Sequence, residues 1–345
     1  MNRIFILKNQ FTVLLILLLS FAASSQTYRC MVEVGDSWGY IDEKGEMAIP
    51  PKFRKAAPFS SDGFAVVAYD GGERFFIDAS GNKLETEVKT FDIKGTGFHD
   101  GMAAVEVNGL WGFLNTEGKL AIKPKYKTIS DWSGGFATAE TKKNIMVITA
   151  DGSEIIITDT RVYEAEGFSE GLAPFKTMDG KEGFINTEGK VVIMPVFKGT
   201  GPFIGGKAWV KTQAGSVGYI NTNGDWIHKA DFTNARNFDL KSKMALVKRS
   251  GQWEYINESG QTLPIYLDSY GEFSDGLAFG KLNALVGFID PTGNWVIQPT
   301  FRAVRDFKNG YAAASKGELW GIIDETGNWV VPPKFTKIRD MEMIK

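Results

Sequence analysis

Trp38-Gly39-Tyr40-Ile41-Asp42-Glu43-Lys44-Gly45 reads as a short strand running into a tight turn. The frame returns as Trp111-Gly112-Phe113-Leu114-Asn115-Thr116-Glu117-Gly118. It returns again as Gly218-Tyr219-Ile220-Asn221-Thr222-Asn223-Gly224, and as Trp320-Gly321-Ile322-Ile323-Asp324-Glu325-Thr326-Gly327. Anchored on the glycine that closes each turn, the repeat has nine copies, at Gly45, Gly81, Gly118, Gly152, Gly189, Gly224, Gly260, Gly293 and Gly327. Successive separations are 36, 37, 34, 37, 35, 36, 33 and 34 residues, so the units fill nearly all of the chain with no linker between them. A fixed period of this length marks one supersecondary unit that buries its apolar face only by stacking on its neighbours.

The turn has a mechanism. Eight copies open with Asp or Asn, and the fourth has Thr149. A side-chain oxygen there accepts backbone N–H groups of the turn, and the closing glycine takes the left-handed conformation of a type I turn with a bulge. The pattern is a β-hairpin signal. One carboxylate per turn, often replaced by Asn, supplies too few oxygens for calcium, and no metal or cofactor is expected.

Each unit reads as three strands. The first carries a recurrent small residue: Ala65, Ala103, Ala137, Ala173, Ala208, Ala245, Ala278 and Ala312. Alanine among larger residues implies a close strand approach. The second strand is the Trp-Gly-aromatic-Ile stretch. The third ends in Pro-x-aromatic, as in Pro51-Lys52-Phe53, Pro124-Lys125-Tyr126 and Pro333-Lys334-Phe335. Proline ends strand pairing because it has no N–H to donate, and the aromatic then plugs the join between units. The second, fourth and seventh units depart from the frame, with Arg74-Phe75, Ile145-Met146 and Trp253-Glu254 where Trp-Gly is usual.

The recurrent Trp-Gly-Tyr/Phe-Ile-Asp/Asn-x-x-Gly, Ile-x-Pro-x-Phe/Tyr and Phe-x-x-Gly-x-Ala frame resembles the WG-repeat, or KWG-repeat, family of bacterial β-repeat proteins. The resemblance covers residues 29 to 340. It implies an all-β repeat protein and brings no catalytic residues with it. The expected fold is a tandem array of nine three-stranded antiparallel repeats in an open, solenoid-like arrangement, with a closed propeller-like ring as the alternative. The open form is preferred because a propeller closes by sharing one blade between the chain ends. Here the first unit, from Met31 to Phe53, and the last, through Ile338, both read as complete.

Residues 1–25 read as a secretory signal peptide, and 26–345 as the repeat domain. Arg3 and Lys8 precede an apolar run from Phe11 to Ala23, and Ala22, Ala23, Ser24 and Ser25 provide small residues before cleavage at Gln26. The run is shorter than the ~20 residues of a spanning helix. Loss of those two positive charges takes the formal charge from −2 to −4, which does not favour nucleic acid or an anionic membrane. The expected location is periplasmic, cell-surface or extracellular. A single cysteine, Cys30, allows no intrachain disulfide.

No catalytic residues are assigned. His99 and His228 fall at different repeat positions in distant units. Glu182 and Glu254 break the motif, a pattern that fits drift at a surface strand. The aromatic residues are the better candidates. Trp38, Trp111, Trp253 and Trp320 share one repeat position and would form ligand platforms if exposed, or junction core if buried. The expected function is a non-enzymatic scaffold that binds a protein or cell-envelope component. A glycan or peptidoglycan module using the Trp platforms is the alternative, and a glycoside hydrolase with paired carboxylates is a further one.

Overall fold

A computed structural model describes residues 26–344. Residues 1–25, the stretch read as a signal peptide, lie outside them. The repeats form a closed β-propeller of nine sheets, not an open array. Each blade is named here after its repeat, with strands A to D from the ring axis outward. In blade 3 these are Asp92–His99, Met102–Val107, Leu110–Asn115 and Leu120–Tyr126.

Closure overturns the expectation that no unit is split between the chain ends. Lys337–Ile344 pairs antiparallel with Thr27–Val34, in the register Tyr28↔Met343, Arg29↔Glu342 and Cys30↔Met341. The last strand of the chain is therefore strand A of blade 1. The three-stranded unit is also corrected to four strands. Strand A is only two residues long in most blades, as at Lys55–Ala56, Thr128–Ile129 and Ala303–Val304. Two residues display no alternation, so these segments read as a join between units. Blades 2 and 7 keep three full strands, their fourth reduced to the single bridges Ile77↔Lys83 and Ile256↔Thr262.

The core lies between blades. Nine apolar clusters occupy the nine junctions. One of them packs Ile322, Val331 and Phe335 of blade 9 against Cys30, Val32 and Ile338 of blade 1. The recurrent alanines are buried, which fits close stacking of neighbouring sheets. The aromatics after proline plug the junctions, as Phe53 does between blades 1 and 2 and Tyr126 between blades 3 and 4.

The Trp-Gly glycine and the Pro-x-aromatic proline are two halves of one device. A Cβ on Gly112 would lie 2.4 Å from the carbonyl oxygen of Ile122 and 2.7 Å from the nitrogen of Pro124. Strand D bulges onto strand C there: Phe113 pairs with Ile122, but Trp111 pairs with Tyr126. Where glycine is replaced by Met146, strand D lacks proline and pairs without a bulge. The C–D turns form as expected. Oδ1 of Asp42 accepts the amides of Lys44 and Glu46, both at 2.9 Å, so this oxygen is already spent within its own turn.

Two kinds of polar contact latch neighbouring blades. In the A–B turns, a carboxylate of one blade accepts a glycine amide of the next: Asp62 from Gly101 at 3.0 Å, Asp100 from Gly134 at 2.8 Å and Asp275 from Gly310 at 2.6 Å. In strand C of three blades, a buried tyrosine donates to a carbonyl at or just after strand A of the next blade. Tyr40 reaches the carbonyl of Ala57, Tyr219 that of Arg236 and Tyr255 that of Gly271, at 2.6–2.7 Å.

Candidate functional site

Three residues of each blade, one at or just after strand A and one each on strands B and C, face the next blade. In blade 6 these are Gly201, Trp209 and Val217. Gly201 donates its amide to the carbonyl of Trp209, Trp209 pairs with Tyr219, and Val217 lies two residues before Tyr219 on the same face of strand C. Together with strand A of the following blade, each trio bounds an inter-blade cleft. The strand C member is the position of the expected platforms, so the structure places Trp38, Trp111, Trp253 and Trp320 in four such clefts. All four are half-buried, and each packs against an apolar cluster. They are neither free platforms nor sealed core.

The strand A member is the part that reading single motifs missed. Wherever strand C carries tryptophan, strand A of the same blade, or the residue just after it, supplies a cation: Arg339 with Trp38, Lys94 with Trp111, Arg236 with Trp253 and Arg305 with Trp320. The guanidinium of Arg339 lies 5.8 Å from the Trp38 ring centroid, and that of Arg236 lies 5.7 Å from Trp253. Both fall within the range of cation–π attraction. Arg236 also meets Glu272 of the next blade at 3.0 Å, and Arg305 meets Asp340 at 3.4 Å. The signal was present in the sequence as a second column varying with the first, but strand A had not been recognised as a strand.

The other clefts are filled differently. Gly201 makes room for Trp209, whose Nε1 would lie 2.3 Å from a Cβ at that glycine. Gly271 makes room for Phe279 in the same way. Arg74 donates to the carbonyl of Ile93, and Thr200 donates to Glu182 at 2.9 Å. Glu182 therefore has a bonding partner across the junction, and Glu254 is ion-paired with Arg249 at 2.8 Å. The two histidines remain apart. Nε2 of His99 is 3.3 Å from Thr96 Oγ1, and Nε2 of His228 is 3.1 Å from the carbonyl oxygen of Glu258.

One opening of about 450 Å³ runs along strand A of blade 4, lined from Lys94 of blade 3 to Gly167 of blade 5, and one of about 420 Å³ lies between blades 9 and 1. A smaller one of about 230 Å³ separates blades 7 and 8, with Arg236 and Trp253 on one wall and Glu272 on the other. Carboxyls near the axis are perturbed. Burial, then Glu272 and Asp340, push the Asp306 carboxyl up to about 6 against the opposing pull of Arg305. Burial, then Glu182, raise Glu166 above the ordinary carboxylate range.

The pattern of the family described as WG containing repeat matches residues 38–72, 94–111, 111–144, 183–213, 218–253, 287–320 and 320–342. No curated protein matches the chain at a significant level. Among solved structures, the chain is similar to one described as the crystal structure of the eukaryotic initiation factor. The two are 14% identical over 92% of this chain and 98% of that one, with a TM-score of 0.62. A computationally designed protein, Ika8, is 13% identical over 87% of this chain and 97% of its own, with a TM-score of 0.46.

Proposed function

The chain belongs to the WG-containing repeat family, and from that premise we propose that it is an exported, non-catalytic scaffold that binds a cell-envelope ligand through its inter-blade clefts. The observation that carries this reading is the set of four half-exposed indoles repeated around one ring, two of which, Trp38 and Trp253, have a guanidinium of their own blade over the ring. An indole edge beside a guanidinium suits a sugar ring bearing carboxylate or acetamido groups. The ring supplies apolar area, and the cation supplies charge-assisted hydrogen bonds. A glycan of the envelope is therefore the favoured ligand class. A protein ligand is the second reading, supported by the repetition of the clefts, which suits an extended partner.

Export is proposed from the basic start, apolar run and small residues of positions 1–25. N-terminal sequencing of the secreted chain should begin at Gln26.

Binding of the mature protein to peptidoglycan and to an array of acidic and neutral glycans tests the ligand. Trp253→Ala and Arg236→Ala should each weaken retention by about tenfold, the cost of roughly 1.4 kcal/mol. Circular dichroism would check that both variants fold. Retention unchanged in both would remove the clefts from the reading, and release of reducing ends from any bound glycan would replace it with hydrolysis by paired carboxylates.

A further inference from the structure

The outermost strand of blade 5, Val191–Phe197, departs from its sisters on the side that faces solvent. Six blades have a strand D of seven residues, and in each the fourth residue is exposed. Those residues are Pro50, Lys123, Met194, Lys229, Gln298 and Pro332. Proline and lysine keep an open sheet edge from pairing with another chain, and blade 8 has the polar Gln298 and Thr300 instead. Blade 5 has no such guard. Val192, Met194 and Val196 are 44%, 54% and 57% exposed, while Ile193 and Phe197 are buried. That alternation puts the three exposed side chains on one face of the strand.

The backbone of this edge is open as well. Ile193 pairs with Phe184 and Phe197 with Glu182, which leaves Met194 with no partner on strand C. A Cβ on Gly183 of strand C would meet the carbonyl oxygen of Ile193 and, at 2.8 Å, the nitrogen of Pro195. Ile193 and Pro195 therefore turn their backbone groups inward. These groups alternate sides along a strand, so those of Met194 and Val196 turn outward. The Val196 carbonyl accordingly accepts from the Gln213 side chain of blade 6 at 3.3 Å, not from strand C. The N–H that Pro195 lacks is thus an inner one, and the outer edge keeps the donor of Met194.

We propose that this edge pairs with the same edge of a second copy of the chain, antiparallel about a twofold axis through Met194. Met194 then lies opposite Met194 of the second copy and exchanges both backbone hydrogen bonds with it. Val192 lies opposite Val196. The order Val-x-Met-x-Val reads the same in both directions, so every side-chain pair on that face is apolar. No sister strand has this property. Lys123 and Lys229 would each meet its own charge, Pro50 and Pro332 have no N–H to exchange, and Val296 would meet the polar Thr300. Beyond the strand, Lys198 comes opposite Lys190, whose charge is balanced by Glu188 at 2.6 Å. Arg161, which donates to Met194 Sδ at 3.4 Å, is held by Asp159. The contact joins two four-stranded blades into one sheet. One strand covers far less than the roughly 1,200–2,000 Å² of a standard interface, so the dimer is weak and dependent on concentration. It lies on the outer rim, and it does not depend on what the inter-blade clefts bind.

Sedimentation equilibrium of the mature chain, from about 1 μM to about 0.5 mM, tests the pairing. The parent should pass from monomer to dimer over that range. Met194→Lys should weaken association at least about tenfold with an unchanged circular dichroism melt. Gln298→Lys, at the matching position of blade 8, should associate like the parent. Cross-linking tests the axis. The one cysteine, Cys30, is buried, so an introduced surface thiol reacts alone. Met194→Cys should give a covalent dimer under an added oxidant, because opposite Cα atoms of an antiparallel pair lie about 5.5 Å apart, within disulfide reach. Val192→Cys should cross-link to Val196→Cys when the two are mixed, and not to itself. The proposal is overturned if the parent stays monomeric throughout, or if Met194→Lys associates as tightly as the parent. It is equally overturned if Gln298→Cys cross-links as fast as Met194→Cys.

Discussion

Asp306 shows how the ring sets the chemistry of single residues. In sequence it is one acid among 41. In the fold it stands two residues beyond strand A of blade 9, near Glu272 and Asp340 of the flanking blades, and burial and those carboxylates raise its carboxyl to about 6. The ordinary value in an unfolded chain is about 3.9. The folded chain therefore holds more protons than the unfolded one between roughly pH 4 and 6, and stability falls as pH rises through that window. Asp306→Asn should melt higher than the parent by about 1–3 °C at pH 7.5, a modest gain because solvent screens part of the repulsion. The difference should vanish near pH 4. Equal melting of the two proteins at both pH values would show that the neighbouring carboxylates do not strain this site. The tryptophan positions were legible as a column of the repeat. The cations beside them were not, because their strand was too short to announce itself.

At the scale of the element, the C–D hairpin was the most legible part of the chain. Its Asp or Asn and its glycine act through neighbours four residues apart at most, so local chemistry decides the turn. The motif glycine needs the tertiary view. It is not a flexible joint but a gap into which the bulged strand D settles, with Ile122 and Pro124 over Gly112. Gly112→Ala should cost about 1–3 kcal/mol in denaturant unfolding, as overpacking does. It should also speed hydrogen exchange of residues 120–126. A variant as stable as the parent would mean that strand D can retreat at no cost. The same coupling explains why the second, fourth and seventh units depart together at the glycine and at the proline: without the bulge, neither residue is required.

At the scale of the molecule, closure is the decisive contact. Lys337–Ile344 supplies strand A of blade 1 and buries Ile338 and Met341 against Cys30 and Val32. Burial of such a side chain is worth about 1.5–3 kcal/mol, so a chain ending at Phe335 should lose about 3–6 kcal/mol from these two side chains. It also leaves the edge of Thr27–Val34 open to other chains. Calorimetry should show a lower and broader transition, size-exclusion chromatography should show association beyond that of the parent, and a peptide of residues 337–344 added in trans should reverse both. A truncated chain that melts and associates like the parent would argue against closure as the stabilising device.

The sequence alone determined the number of units, their all-β character, the hairpin turns, the buried alanines and the aromatic plugs. Each of these rests on spacing or on local backbone chemistry, which a nine-fold repetition makes visible. Tertiary structure alone decided that the array closes, that each blade has four strands, and that Trp38, Trp111, Trp253 and Trp320 each share a blade face with a cation. Those facts rest on pairing across hundreds of residues, or on two-residue strands whose partners are not their neighbours in sequence. The curvature that brings Tyr28 to Met343 is accumulated from small rotations at every junction, and no single unit encodes it.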